Sequence, residues 1–343
     1  MGHKIRVSAI QMDAFPATVS ERLDRAENLV SEAASSGAEL IVLPELFNTG
    51  YQYDDANYKL AEPIDGQTMG WMNETAKRNR IYLAGSFLLR DGCEIYNTAF
   101  LVAPDGNYWR YDKQFPWFHE RAYFRAGAAP QVAQTELGDI GMLICWDVAH
   151  PHLWQTYAGN VDALIIMSSP PKMSDPDLIF PDGKRLPQRD LGPLYRYLHT
   201  DEEYFPSGDM DVFADWIGVP VIASSGAGTV RLKMPRPYLA MPFYSAFRPD
   251  LWGRFYQFKD MYLEAGFDKQ TKVIDADGNV LSRVTAAGDG ITLAQIDISD
   301  ERPKPNIPPP KMRTQLPVYF FSDVFSNWVY ASYYDKHKSL ESS

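Results

Sequence analysis

Gly141-Met142-Leu143-Ile144-Cys145-Trp146-Asp147 is an apolar run of strand length that stops at a cysteine, and a helix is expected to begin a few residues later, near Pro151. A cysteine at such a strand-to-turn junction can serve as a nucleophile through its thiolate. Backbone N–H groups of the turn would stabilise both that thiolate and a later oxyanion. The same position also suits an inert buried cysteine, because a free thiol packs as a small hydrophobe. The choice depends on what the rest of the chain presents at strand ends.

Upstream, Leu40-Ile41-Val42-Leu43-Pro44-Glu45 places a carboxylate at the end of a buried-type strand. Desolvation there would raise its pKa toward that of a useful general base, unless Glu45 is an ordinary surface-loop acid. Tyr111-Asp112-Lys113-Gln114-Phe115-Pro116-Trp117-Phe118-His119-Glu120 follows a short strand and sets Lys113 among aromatic residues. Such a lysine is either a fixed positive charge beside a thiolate and a developing oxyanion, or a solvated side chain.

Around these three points the pattern alternates between strand and helix. Ile5 to Met12 reads as a strand, Val19 to Ser35 as a helix with its apolar face at Leu23, Ala26, Leu29, Val30 and Ala33, and Glu39 to Leu43 as a strand. Thr68 to Arg80 is expected to be helical, followed by strands at Ile81 to Leu89, Ala99 to Val102 and Tyr108 to Tyr111. Downstream come a helix at Leu153 to Ala158, a strand at Ala163 to Met167, a helix at Met210 to Ile217 and a strand at Val219 to Ser224. A hairpin around Asp277-Gly278-Asn279 and a strand at Thr292 to Ile298 close the pattern, which is mixed α/β throughout.

Two stretches are poor in periodic pattern. Residues 170–208 hold seven prolines, and residues 234–267 hold four prolines with Tyr238, Phe243, Tyr244, Phe247, Trp252, Phe255, Tyr256 and Phe258. Structureless loops of that length usually act as lids or binding loops, and the alternative is a subunit interface. Arg185, Arg189, Arg231 and Arg236 lie in or near them and would either pair with a substrate carboxylate or remain surface charge. Residues 303–317 hold six prolines, too many for a helix or a central strand, so an extended arm is expected to lead into the aromatic segment Tyr319 to Tyr334. The domain reading is therefore 1–300 for the α/β unit and 301–343 for a C-terminal arm that contacts another subunit.

Composition narrows the partners. The 343 residues carry 33 Lys and Arg against 44 Asp and Glu, a net charge of -11, and no basic block exists to neutralise a phosphate backbone. Nucleic acid is therefore not an expected partner. No apolar run approaches the roughly 20 residues that cross a bilayer, and the N-terminal residues lack a secretory apolar region, so neither a membrane nor export is expected. Two cysteines without zinc spacing support neither a disulfide framework nor a structural metal, which fits a reducing cytoplasm.

Taken together, Leu43-Pro44-Glu45, Lys113 after its strand and Ile144-Cys145-Trp146-Asp147 closely resemble the nitrilase superfamily of carbon-nitrogen hydrolases. The resemblance runs from the first strand through Asp297 and includes Val161 to Ile166 and the hairpin Ile274 to Asn279. It implies a four-layer αββα sandwich that gathers Glu45, Lys113 and Cys145 as a catalytic triad, with no metal and no organic cofactor. It also implies that Glu120, as in the aliphatic-amidase form of the loop, positions substrate and Lys113. Trp117, Trp146, His119 and His150 are candidate substrate contacts, although a histidine among aromatics is as often structural. By the same resemblance the protein is a homo-oligomer, a dimer or larger.

The departures bear on substrate. Where many members carry an arginine, a Pro-Glu pair and a further arginine after the nucleophile, this chain has Ala149, Pro151-His152 and Gln155. Val148 and Ala149 are unlike the arginines of D-carbamoylases, while His150-Pro151 with Trp154 is loosely similar to β-ureidopropionases. Asp147, in place of the glutamate of true nitrilases, tilts the expectation toward a small amide or N-carbamoyl compound. The alternatives are nitrile hydrolysis, acyl transfer from the same thioester, and a catalytically silent interaction protein built on this fold.

Overall fold

The computed structural model describes residues 2–172, 176–192, 209–239, 245–246, 248–299, 301–302, 304–305 and 307–338. β1 (His3–Asp13) runs through the centre and is buried from Val7 to Met12. α1 (Val19–Ser35) starts at Thr18, whose hydroxyl accepts from the Glu21 backbone N–H while the Glu21 carboxylate accepts from the Thr18 N–H. That reciprocal cap fixes the start of the helix. Its buried face carries the expected Leu23, Ala26, Leu29, Val30 and Ala33. The chain continues through β2 (Leu40–Val42), α2 (Gln67–Asn79), β3 (Tyr82–Asp91), β4 (Glu94–Val102), β5 (Tyr108–Asp112), β6 (Val132–Thr135) and β7 (Gly138–Ile144). Next are α3 (Pro151–Tyr157), β8 (Ala163–Ser168), β9 (Asp177–Ile179), β10 (Arg185–Pro187), α4 (Asp209–Ile217), β11 (Val221–Ala227), β12 (Thr229–Lys233) and β13 (Tyr262–Gly266). β14 (Lys272–Ile274), β15 (Val280–Arg283), β16 (Gly290–Ile291), β17 (Ala294–Ile298) and α5 (Ser326–His337) follow.

β1 belongs to two sheets. It pairs in parallel with β2 through Val7 to Ala9 and, further along, with β11 through Gln11 to Asp13. One half is β5-β4-β3-β2-β1 with β17, and the other is β6-β7-β8-β11 with β14 and β15. Their inner faces share a core in which Val7, Leu40, Val42, Ala84 and Leu101 meet Ile140, Met142, Ile144, Ala163, Ile165 and Ile222. Outside the first half, α1 and α2 bury Leu23, Val30, Met69 and Met72 against Ile41, Leu43, Leu83 and Phe87. α3 and α4 contribute Trp154, Tyr157, Phe213 and Ile217 on the other side. The order helix, sheet, sheet, helix is the expected four-layer sandwich, and apolar faces on both sides of each sheet require it.

The register explains where the chemistry collects. β2, β3, β7, β8 and β11 all run parallel to their neighbours in the sequence of pairs that starts from β1, and β5 returns to that direction through two antiparallel pairings. The residues just after β2, β5, β7 and β8 therefore emerge at one end of the sandwich, where open α/β sheets place ligands.

The two pattern-poor stretches differ from the loops expected of them. Their described parts supply β9, β10 and β13, which with β12 form a small antiparallel sheet, β10-β9-β13-β12, around Leu178, Phe180, Leu186, Leu251, Phe258 and Met261. Strands as short as three residues leave no readable periodicity, so the sequence pattern missed them. The aromatic residues of 234–267 do not share one surface: Phe258 is buried, Trp252 and Tyr256 are exposed, and Phe243, Tyr244 and Phe247 lie outside the described residues. Arg185 and Arg231 pair with Glu264 at the surface, and Arg236 donates to the Val329 carbonyl. Arg189 is exposed.

The C-terminal segment is helical from Leu316, and its i to i+4 spacing widens to i to i+5 over Phe320–Phe325 before α5. Val329, Tyr330 and Tyr334 are buried on the chain itself, against Tyr58, Tyr123 and Phe124. Among the described residues no helix is long and apolar enough to cross a membrane.

Candidate active site

Glu45 enters a tight turn after β2 that is held from behind by Arg22 of α1. Its Nε donates to the Phe47 carbonyl at 2.7 Å and its Nη1 to the Asp13 carbonyl at 2.9 Å. The carboxylate is buried. Oε1 accepts from Lys113 Nζ at 2.7 Å and from Asn97 Nδ2 at 2.8 Å. Oε2 is buried and accepts no hydrogen bond, and the Cys145 thiol also bears on this carboxylate. Burial raises the Glu45 pKa to about 7, against the opposing pull of Lys113 and with a further push from Glu120.

Lys113 is wholly buried and makes a second ion pair, Nζ to Glu120 Oε2 at 2.7 Å. Burial alone would lower its pKa, but Glu120 and Glu45 more than offset this and push it up, so it stays cationic. Gly127 lets the returning loop close on this strand: its N–H donates to the Lys113 carbonyl at 2.8 Å, and a Cβ there would collide with the Asp112 backbone. Glu120 is saturated with donors. Oε2 also accepts from the Trp117 N–H at 2.7 Å, and Oε1 from the phenols of Tyr51 at 2.8 Å and Tyr53 at 3.2 Å. Four donors fix the Glu120 carboxylate where it orients Lys113, and the unpartnered Oε2 of Glu45 is the one free to accept a proton.

Cys145 opens a single helical turn after β7 and is 2% exposed. Its φ is +48°, a left-handed conformation that is strained for a residue with a side chain. Leu46, Tyr51 and Phe118, at +48°, +59° and +41°, share that strain beside Glu45 and Glu120. Such strain persists only where surrounding contacts over-determine the backbone, and it clusters at sites of function. Burial, reinforced by the Glu45 charge, pushes the thiol well above its ordinary pKa, while Lys113 and the Ser169 backbone N–H pull the other way. The resting group is therefore a thiol beside a base. Desolvation here outweighs the stabilising backbone dipoles of the turn.

Asp147 is wholly buried and both its oxygens are taken up by the protein. Oδ2 accepts from the Tyr111 hydroxyl at 2.7 Å and the Ile144 N–H at 3.1 Å, and Oδ1 from the Phe115 N–H at 2.8 Å. It ties the cysteine turn to the strand and loop that carry Lys113. Burial raises its pKa to about 6.

The candidate substrate contacts separate into two groups. His119 and Trp117 lie with Glu120, their rings edge-on at 5.4 Å, and Tyr53 closes on His119 at 5.3 Å. His119 is buried with Nε2 unpartnered, and burial lowers its pKa to about 4, so it is neutral near pH 7. Trp146 and His150 instead turn to the C-terminal segment. The indole N–H donates to Asp323 Oδ1 at 3.1 Å, and His150 reaches Asp323 Oδ2 at 3.1 Å while donating from Nδ1 to the Trp146 carbonyl at 3.0 Å.

Sequence reading missed Tyr51, Tyr53, Asn97 and Ser169. The alternation in Gly50-Tyr51-Gln52-Tyr53, which puts both phenols on one side, and a lone asparagine among apolar residues in β4 were the available signals. The small sheet reaches the site through these tyrosines, since Val230, Leu232, Ala265 and Phe267 pack with Tyr51 and Tyr53. Among the described residues no cluster of His, Cys, Asp and Glu could hold a metal ion.

The carbon-nitrogen hydrolase family profile matches residues 6–188, just over half of the chain. A nitrilase of Pyrococcus abyssi is 30% identical over 158 residues, 45% of this chain and 60% of that protein. The omega-amidase NIT2 of Danio rerio is 34% identical over 175 residues, 48% of this chain and 62% of its own length. The chain thus spans about three fifths of these curated relatives. Among solved structures, an amidase from Nesterenkonia sp. superposes with a TM-score of 0.60 at 18% identity, covering 87% of this chain and 91% of that one. A superfamily protein from Xanthomonas campestris with an arsenic adduct in its active site gives 0.60 at 19% identity, with 87% and 91% coverage.

Proposed function

The chain belongs to the carbon-nitrogen hydrolase family, and from that premise we propose that it hydrolyses a non-peptide carbon-nitrogen bond in a small amide or N-carbamoyl compound through a Cys145 thioester. The observation that carries this reading is the buried ladder of Glu45, Lys113 and Glu120 beside a strained Cys145. Glu45 Oε2 takes the thiol proton as Sγ attacks the carbonyl carbon, and Lys113 Nζ with the Trp146 backbone N–H holds the oxyanion. Glu45 passes that proton to the leaving nitrogen as the carbon-nitrogen bond breaks, and ammonia or an amine departs. Water then gives a proton to Glu45 and attacks the thioester, and the proton returns to sulfur as the acid leaves.

An amide is favoured over a nitrile by the omega-amidase likeness, and a mutant of the Nesterenkonia amidase carries the acetamide moiety of fluoroacetamide covalently on its active-site cysteine. Asp147 no longer supports that preference through substrate contact, because it braces the fold. The test is intact mass after brief incubation with small amides, carbamoyl compounds and nitriles, alongside ammonia release. An acyl adduct that requires Cys145 supports the reading and its mass identifies the acyl group. Turnover without an adduct-forming cysteine overturns it.

The activity follows the ionisation of Glu45. The base must be unprotonated, so kcat/KM rises with pH on a limb near 7. Stability runs the other way: the raised pKa means that the folded state holds the proton more tightly than the unfolded chain. That contribution is complete below about 4.5 and is lost as pH rises through about 7. Glu45→Gln should remove both the rate limb and this part of the melting curve's pH dependence, as read by kinetics and calorimetry between pH 5 and 8. An unchanged limb would assign the base elsewhere.

A homo-oligomer, a dimer or larger, is part of the proposal. Leu316, Phe320, Val324 and Trp328 recur every four residues and are 82%, 53%, 59% and 78% exposed, an apolar stripe that a second copy would cover. Sedimentation of the wild type and of Trp328→Glu tests it: the variant should dissociate, and a wild type that sediments as a monomer would exclude it.

A further inference from the structure

We propose that Asp323 of the C-terminal segment is a positioning residue for the nucleophile turn, acting through Trp146, His150 and Arg121. The inference rests on the reading of Cys145 as the nucleophile and goes beyond it. It assigns the segment a part in setting the reactivity of that cysteine.

The side chains just after Cys145 divide between two anchors. Asp147 points inward to Tyr111 and Phe115 and ties the turn to the Lys113 loop. The outward face, Trp146 and His150, has its carboxylate supplied from 173 residues or more away in sequence. Asp323 Oδ1 accepts from the Trp146 indole at 3.1 Å and from Arg121 Nη2 at 3.1 Å, and Oδ2 lies 3.1 Å from His150 Nε2. One carboxylate thereby joins the residue after the nucleophile to the residue after Glu120. Arg121 Nε also donates to the Ser322 carbonyl at 3.0 Å, and the Tyr319 hydroxyl donates to the Ala149 carbonyl, where the turn ends. His150 is clamped further by stacking on Phe115, ring centroids 3.5 Å apart and 15° from parallel.

The local geometry is consistent with a special placement. The segment adopts i to i+5 spacing over Phe320–Phe325, a departure that recurs at functional sites and that carries Asp323 in its middle. The turn it grips is the strained one, with Cys145 at φ +48°. A left-handed residue relaxes unless its neighbours hold it, so pinning the next side chain is a direct way to keep Sγ aimed at the carbonyl carbon. Between Asp147 and Asp162 the chain carries no Asp, Glu, Lys or Arg of its own. Asp323 supplies a charged anchor there from another part of the chain.

The experiment reads Cys145 itself, so that it needs no known substrate. In a Cys93→Ser background, which removes the exposed second thiol, alkylation of Cys145 by iodoacetamide is followed by peptide mass spectrometry, with kcat and KM on whichever amide the panel identifies. Asp323→Ala is expected to slow alkylation and lower kcat about tenfold with KM within twofold, as a misaimed nucleophile does. Trp146→Phe, which deletes one donor to Asp323, should slow both to a similar extent, and the double variant should lose no more than the worse single one. Asp335→Asn is the control, because it breaks the ion pair to Arg125 on the same helix without touching the turn, and it should leave both rates unchanged. Equal slowing by Asp335→Asn would mean that only docking of the segment matters and would overturn the proposal. So would wild-type rates in Asp323→Ala, or losses in the two variants that simply multiply. A wild-type Cys145 that never reacts would remove the nucleophile reading itself, a separate failure.

Discussion

Cys145→Ala is expected to abolish turnover, by at least about 10³-fold on any amide the wild type hydrolyses, and to leave the fold intact. The size follows from the chemistry: without Sγ no thioester forms, and neither Glu45 nor Lys113 can replace a covalent step. The stability cost is small for a local reason. The strain at φ +48° arises between Cβ and the backbone and is the same for alanine, so only one buried sulfur's packing is lost, about 1 kcal/mol. Melting and intact mass, measured with ammonia release, separate the outcomes. A folded variant that still turns over at the wild-type rate ends the thioester mechanism, whereas an unfolded one would point to packing at this turn.

Lys113→Met is the most damaging single change expected for stability, about 3–5 kcal/mol, because it strips two buried carboxylates of their shared cation. Glu45 and Glu120 both take their ion pair from Nζ, at 2.7 Å each, and all three groups are fully buried. Methionine fills the volume but leaves two acids facing each other. Lys113 is what opposes the burial that lifts Glu45, so its loss drives that pKa higher. The deficit should therefore be largest at alkaline pH and shrink toward pH 5, where Glu45 binds a proton and the repulsion eases. Urea midpoints for the variant and wild type at both pH values check the sign. A deficit independent of pH would mean that packing, not charge, sets the cost. Activity should vanish with the cation, since the oxyanion then has no positive partner.

Polar residues away from Cys145 also bear on which molecule the site accepts. His119 is neutral, buried and carries an unpartnered Nε2 next to Glu120. A buried nitrogen without a partner costs free energy, so a bound molecule that satisfies it gains specificity against one that cannot. The tyrosines that lock Glu120 are themselves packed against the small β9-β10-β12-β13 sheet. Changes in that small sheet can thus alter the site without altering any residue that touches the reacting atoms.

The amino-acid sequence by itself determined the elements and the reactive groups. Periodicity placed α1 with its buried face, because burying Leu23, Ala26, Leu29, Val30 and Ala33 on one side is a property of spacing alone. The buried-type runs ending at Glu45 and Cys145, and the loop holding Lys113 and Glu120, were legible because strand ends and reactive side chains are both local features. Only the tertiary structure decided how these groups meet. Parallel registers and the double antiparallel return of β5 bring four strand ends, distant in sequence, to one end of the sandwich. It also decided that Asp147 braces and does not bind, that Tyr51 and Tyr53 fix Glu120, that strands of three residues form a separate sheet, and that Asp323 reaches Trp146. Each of those outcomes depends on contacts across tens to hundreds of residues, and on burial energies that exist only after the layers pack, so no window of sequence contains them.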